Sequence, residues 1–181
     1  KVLNVGSGGE DFGRRVINLD IEPFATATVV GDACQMPFMR GAFDMVILKA
    51  VLEHIADHES ALAEVKRVTK ASGVVYVEMP FLQSYHPSPG DYRRYTLSGL
   101  ELVFKDYQKI ECGVCVGPSA SLAGLLCEYA ALIMDVKYLR GMAYFTVGWL
   151  VVPFSLVDRF LIKKPRAAAT ASSLYFIGRN P

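Results

Sequence analysis

With 181 residues, 52% of them hydrophobic, the chain is long enough to bury about 70% of the surface it exposes when unfolded. It therefore needs neither disulfide nor metal to fold. Nineteen basic and eighteen acidic residues leave a net charge of +1, which excludes a sequence-wide attraction to nucleic acid, so no nucleic-acid partner is expected. The four cysteines, Cys34, Cys112, Cys115 and Cys127, come without a secretion signal and fit reduced thiols in a cytoplasmic protein.

Lys1 leads directly into the apolar run Val2 to Val5, already inside a strand, so native residues upstream are expected. Gly6-Ser7-Gly8-Gly9 follows, a turn where the backbone can approach a ligand that a Cβ would exclude. Runs at Val16 to Leu19, Thr28 to Val30, Phe43 to Leu48 and Val74 to Met79 predict further strands, and their separation implies a parallel sheet covered on both faces. Only ten residues, Gly6 to Arg15, join the first strand to the second, so any helix there is a turn or two. Asp57 is the predicted N-cap of a helix striped by Leu62, Val65 and Val68 and stopped by Ala71-Ser72-Gly73.

After the fifth strand, a polar loop from Gln83 to Arg94 carries Pro87, Pro89 and Gly90, and Thr96 caps a helix predicted through about Tyr107. Ile110 to Val116 and Ser173 to Ile177 read as the last two strands. Cys112 and Cys115, three apart on a strand, point to opposite faces, and with no second pair to complete a zinc site no metal site is expected. Between these strands lies a predicted helical insertion of about 118–168 in a single domain spanning 1–181. Its apolar positions Leu125, Leu126, Tyr129, Leu132 and Ile133 keep helical spacing, and Met142 to Val157 is an uncharged run of sixteen. That run falls short of the roughly 20 residues of a membrane span, and its flank Lys163-Lys164-Pro165-Arg166 is basic. Core packing, a lid or a dimer face competes with peripheral membrane contact through 138–166; oligomeric state is left open.

The chemistry starts with the acids. Asp20 ends the second strand, where a carboxylate can accept both hydroxyls of a ribose; Asp32 ends the third, where it can accept an adenine amine while the Ala33 N–H donates to a ring nitrogen. The dinucleotide fingerprint, which would point to a nicotinamide-dependent reductase, is not met. Its third glycine is replaced by Asp11, and Asp20 comes only twelve residues after Gly8.

Together with Gly31-Asp32-Ala33-Cys34-Gln35-Met36-Pro37-Phe38, Phe43-Asp44-Met45-Val46, Val51-Leu52-Glu53-His54 and Arg67-Val68-Thr69-Lys70-Ala71-Ser72-Gly73, these blocks give residues 2 to 80 a close resemblance to a known family. They resemble the class I S-adenosylmethionine-dependent methyltransferases, within them the type 11 group. The resemblance implies an α/β fold, a Rossmann-like doubly wound seven-stranded sheet with its last strand antiparallel, and S-adenosylmethionine across the carboxyl ends of the early strands. It implies that Gly6, Ser7 and Gly8 face the methionine moiety, Asp20 the ribose, Asp32 and Ala33 the adenine, that Lys49 and Ala50 border the sulfonium, and that Val5 and Ile21 also belong to the cofactor site. Asn4 departs from the family's usual Asp, Glu10 from a common third glycine, and Thr69-Lys-Ala-Ser-Gly from Leu-Lys-Pro-Gly-Gly.

Methyl transfer is an in-line displacement for which positioning alone supplies roughly 7 to 11 kcal/mol, so a strong catalytic group is not required. A base would still take the proton of an oxygen or nitrogen nucleophile. His86 is the first candidate, in the loop where open α/β sheets place ligands, followed by His54 and Asp91. Tyr85, Arg93 and Arg94 are candidate substrate contacts. The expected activity is methylation of a small-molecule, glycan or lipid-linked acceptor, oxygen slightly preferred, with a non-catalytic cofactor-binding scaffold or regulator as the alternative.

Overall fold

The computed structural model describes residues 1–133 and 137–181. The order is β1 (Val2–Val5), β2 (Val16–Asp20), β3 (Val29–Val30), β4 (Phe43–Lys49), α1 (His58–Val68), β5 (Thr69–Pro80), α2 (Leu97–Val103), β6 (Gln108–Val116), α3 (Pro118–Ile133), α4 (Lys137–Leu161) and β7 (Ser173–Arg179). The seven strands form one sheet in the order β3-β2-β1-β4-β5-β7-β6. β1, β2, β3, β4 and β5 pair in parallel. Against β5, β7 runs the other way, since Ser72 and Gly73 bond to Asn180 while Phe81 bonds to Ser172. The expected antiparallel last strand is present.

The chain divides into two units. The first holds residues 1–79, 87–112 and 175–181; the second holds 80–86 and 113–174. In the first unit, β1 buries Leu3, Asn4 and Val5 in succession, as a central strand covered on both sides must. β4 and β5 are asymmetric: Val46 and Leu48, in register with Val75 and Val77, are fully buried, while Met45, Ile47, Val74 and Tyr76 of the opposite face are half-buried. The links 6–15, 21–28 and 31–42 contain no helix. The expected helical cover therefore begins only after β4.

α1 starts where predicted, the Asp57 carboxylate accepting from the Ser60 N–H at 3.2 Å. Its buried stripe is Ala61, Val65 and Val68, with Leu62 half-buried. Its end differs from the prediction: Ala71-Ser72-Gly73 do not stop it but lie in β5, where the pairing shifts register and Ser72 takes φ 61°. The helix closes at Thr69 because distant groups take its last carbonyls. The Asn180 amide donates to Lys66 O at 3.0 Å and Thr69 O at 2.9 Å, and Thr69 Oγ1 donates to Val65 O at 2.6 Å. α2 begins at its predicted cap, Thr96, but ends at Val103 rather than Tyr107, as Phe104 turns inward to stack on Phe176 with centroids 4.9 Å apart.

In the second unit α3 and α4 occupy the predicted insertion, of which residues 134–136 lie outside the described residues. Pro118 opens α3, where a missing N–H costs nothing. The Asp158 carboxylate near the end of α4 accepts from Ser119 N at 2.9 Å and Ala120 N at 3.3 Å, capping α3. A side chain at Gly117 would place its Cβ 2.4 Å from that carboxylate carbon. Within α4, the stretches Tyr144–Val151 and Pro153–Leu161 meet at 45°, the bend expected where Pro153 removes a backbone donor.

Candidate functional site: the carboxyl edge of the parallel strands

The parallel registers fix which residues share an edge. Val5 pairs with Leu19 and Leu48, and Asp20 with Val30, so Gly6, Asp20, Gly31 and Lys49 emerge together at the carboxyl ends of β1 to β4. Lys49 is the last residue of β4 rather than the first beyond it. Gly6 and Gly8 have φ of 63° and 53°, in the left-handed region. A Cβ on Gly6 would stand 2.5 Å from Val51 Cγ2, whereas one on Gly8 would meet nothing within 4 Å. The first glycine is demanded by packing, the second by the backbone alone.

Asp20 is 8% exposed and ties this edge together. One carboxylate oxygen accepts from Gly8 N at 2.7 Å, the other from Glu22 N at 2.9 Å. Each keeps a lone pair for a further donor. Ser7 is buried, and among the described residues its Oγ has no hydrogen-bond partner. An unsatisfied hydroxyl beside an open glycine turn is what a bound polar ligand would complete. Ile21 is exposed next to Asp20. Asp32 accepts from Cys34 N at 2.8 Å, folding 32–34 into an Asx turn with Ala33 at its centre. Burial and the neighbouring Asp32 charge push the Cys34 thiol up to about 11. Ala50 takes φ 53°, its N–H donating to Glu78 O at 3.1 Å.

The two departures at the turn have local partners. Asn4 is buried and donates to Asn18 Oδ1 at 3.2 Å across the β1–β2 register, so a neutral pair stands where a carboxylate is usual. Glu10 pairs with the Lys49 ammonium. Residues that sequence reasoning passed over also hold the edge. Thr26 Oγ1 donates to Gly8 O at 2.7 Å, and Arg67 donates to Phe38 O at 2.7 Å and Met36 O at 3.0 Å, bracing the segment after Asp32. Glu64, which accepts from Arg67 and from Met36 N, is held below the usual carboxylate range chiefly by that arginine.

Residues 9–77 match the profile of a methyltransferase-domain family. The match spans well under half of the chain and is a likeness of that stretch to the family. A stretch of 49 residues is 41% identical to the demethylmenaquinone methyltransferase of Mycolicibacterium vanbaalenii, covering 27% of this chain and 22% of that protein. The chain thus matches about a fifth of that relative's length. Over 99% of its length the chain superposes on the [4+2]-cyclase SpnF with a TM-score of 0.60 and 15% identity, covering 74% of that chain. It superposes equally fully on the Haemonchus contortus phosphoethanolamine N-methyltransferase 2 solved with S-adenosyl-L-methionine, at a TM-score of 0.58 and 19% identity, covering 48% of that chain. At these identities the superpositions establish the fold.

Beyond this edge, towards the polar loop, the 3₁₀ turn Leu52–His54 carries a fully buried Glu53 and a half-buried His54. His54 Nδ1 lies 2.5 Å from Gly90 O, and Tyr92 N donates to Glu53 O at 2.7 Å, so the loop is laid on this turn. Arg93 donates to Ile55 O at 2.6 Å and Ala56 O at 2.8 Å. Arg94 grips both oxygens of Asp91, whose side chain is 2% exposed. That pairing holds the guanidinium pKa above its ordinary value. His54, Asp91, Arg93 and Arg94 are thus brought together in the first unit, each with an intramolecular contact.

His86 and Tyr85 fall in the second unit. His86 Nδ1 lies 2.8 Å from Ser84 O, and Tyr85 is exposed. His86 lines a cavity of about 450 Å³ with Gln83, Leu125, Cys127, Glu128 and Tyr144.

Proposed function

We propose that the protein is an S-adenosylmethionine-dependent methyltransferase, cytoplasmic and acting on a small-molecule, glycan or lipid-linked acceptor, with oxygen as the preferred nucleophile. The observation that carries this reading is the edge formed by Gly6, Ser7, Gly8 and Asp20. A buried carboxylate with spare lone pairs and an unsatisfied hydroxyl flank a turn with no room for a Cβ at Gly6 and free space at Gly8. The profile match over 9–77 and the methyltransferase neighbours support the same cofactor.

When bound, S-adenosylmethionine supplies an electrophilic methyl on a sulfonium. The chain's own residues do the rest. Asp20 would accept the ribose hydroxyls through the lone pairs that Gly8 and Glu22 leave, and Asp32 with the Ala33 N–H would present one acceptor and one donor to an adenine edge. Gly6, Ser7, Gly8 and Val5 would bound the methionine moiety, and Lys49 and Ala50 its sulfonium end. His86 is our first choice as the group that takes the acceptor's proton, with Tyr85 beside it; His54 and Asp91 follow. Asp91 must lose its Arg94 partner before it can accept a proton, which weighs against it. Arg93 would meet an anionic acceptor through N–H groups beyond those given to Ile55 and Ala56, whereas Arg94 is held on Asp91.

A second reading is a non-catalytic cofactor-binding scaffold or regulator of the same fold; the cyclase among the structural neighbours supports only that the fold is not confined to methyl transfer. Calorimetry with S-adenosylhomocysteine and NADH tests the cofactor, and release of S-adenosylhomocysteine across an acceptor panel separates enzyme from scaffold. Asp20→Ala is expected to weaken S-adenosylhomocysteine ten- to a hundredfold, about 1.4 to 2.8 kcal/mol. Unchanged affinity in that variant would overturn the ribose assignment.

A further inference from the structure

α3 is built inside out, and α4 beside it exposes most of its large apolar side chains. The residues α3 buries are Ser119, Ser121 and Ala131, with Ser121 Oγ donating to Thr170 O at 2.7 Å, while Leu122, Leu125, Leu126, Tyr129, Leu132 and Ile133 are exposed, Leu132 by 80%. On α4, Met142, Phe145, Trp149, Leu156 and Phe160 recur near one face at helical spacing, and all are exposed. Phe145 and Trp149 meet edge to face at 6.3 Å. A monomeric soluble protein seldom shows a contiguous apolar patch beyond a few hundred Å², and one aromatic side chain alone buries about 150–250 Å².

The charge around this face identifies its occupant. Arg159, Lys163, Lys164 and Arg166 are exposed, and among the described residues none of them meets a carboxylate. Asp158, the acid beside them, is spent capping α3. A second copy would bring an equally cationic flank, whereas an anionic lipid surface offers both hydrocarbon for the aromatics and phosphate for the bases. No single described helix is long and apolar enough to cross a membrane, and α4 bends by 45°. We propose that the exposed face of α3 and α4 lies in the plane of an anionic membrane surface, with Trp149 in the headgroup boundary.

Leu125 and Tyr144 also line the 450 Å³ cavity with Gln83, His86 and Glu128, so a lipid-borne acceptor could enter that cavity from the surface its carrier occupies. This second step, unlike docking itself, rests on the proposed methyl transfer.

Trp149 is the chain's single tryptophan, so its emission reports on this face alone. The experiment adds vesicles of phosphatidylcholine, with or without a third phosphatidylserine, to the full chain at low salt. The expected result is a blue shift and quenching by brominated acyl chains with the anionic vesicles, affinity falling at least tenfold when salt is raised, and at least tenfold again in Lys163→Glu/Lys164→Glu. Emission that ignores anionic vesicles overturns the proposal, as does a shift produced by protein concentration alone, which would make the face a contact between copies. Equal binding to neutral vesicles, or no loss in the double variant, overturns its electrostatic half. S-adenosylhomocysteine calorimetry on the same samples reads the cofactor site separately, so failure of docking and failure of the methyltransferase assignment are distinguishable.

Discussion

The carboxyl edge of the parallel strands and the α3–α4 pair solve opposite problems with the same alphabet. At the edge, polar groups are drawn inward and answered: Asp20 by two backbone N–H groups, Asn4 by Asn18, the carbonyls of 36 and 38 by Arg67. In α3 the buried residues are Ser119, Ser121 and Ala131 while its leucines and Tyr129 face out, and α4 likewise turns Phe145, Trp149, Phe154 and Phe160 outward. Substitutions at the edge should therefore cost stability and ligand affinity together, and substitutions on the outer face should cost neither in free solution.

The largest effect is expected at Gly6. Gly6→Ala adds the left-handed penalty of about 1–2 kcal/mol to an overpacking cost of about 1–3 kcal/mol against Val51, so urea unfolding should fall by about 2–5 kcal/mol. Adding Val51→Ala should recover part of that loss; a double variant no better than the single would mean that the collision is not the cause. The contrast itself is tested by a pair of leucines. Leu100→Ala should cost about 2–5 kcal/mol, whereas Leu132→Gln should stay within about 0.5 kcal/mol, and an equal loss from both would break the comparison.

Asn180→Ala leaves the carbonyls of Lys66 and Thr69 without their donor and should lower stability by about 1–3 kcal/mol in thermal melts. The smallest effect concerns Glu64. Its folded pKa is depressed by Arg67, so its contribution is complete above the unfolded value near 4.3 and is lost as pH falls through the folded one. Glu64→Gln should sit below the wild type at neutral pH, and the gap should narrow progressively as acid takes the pH below the unfolded value. A gap that does not narrow with acid would show that the carboxylate's charge is not what matters.

The strand ends, the Asp57 and Thr96 caps and the acids at 20 and 32 were legible because each is a local signal: an apolar run, a capping side chain, an acid at a predicted edge. What escaped was non-local. Nothing near Ser72 announces that Asn180 will close α1 in place of the expected Ala71-Ser72-Gly73 stop, nor near Thr26 that its hydroxyl will reach Gly8. The absence of helices from the links between β1 and β4 was half visible, since a ten-residue crossover leaves little room for one, and the links 21–28 and 31–42 are nearly as confining. The outward apolar faces of α3 and α4 could be read as apolar spacing, not as direction, because a helical stripe does not say which side faces water.

The Asn180 amide has one more consequence, for the order in which the chain can become itself. Its bonds to Lys66 and Thr69 span 114 and 111 residues. Vectorial synthesis therefore delivers the carboxyl edge of β1 to β4 long before the strand that locks α1 behind it, with apolar α3 and α4 emerging in between. Closing so distant a contact is slow by its topology. During that interval the nascent chain carries an unlocked sheet and an unshielded greasy segment at once, so a surface or chaperone that takes up α3 and α4 early would act on folding as much as on location.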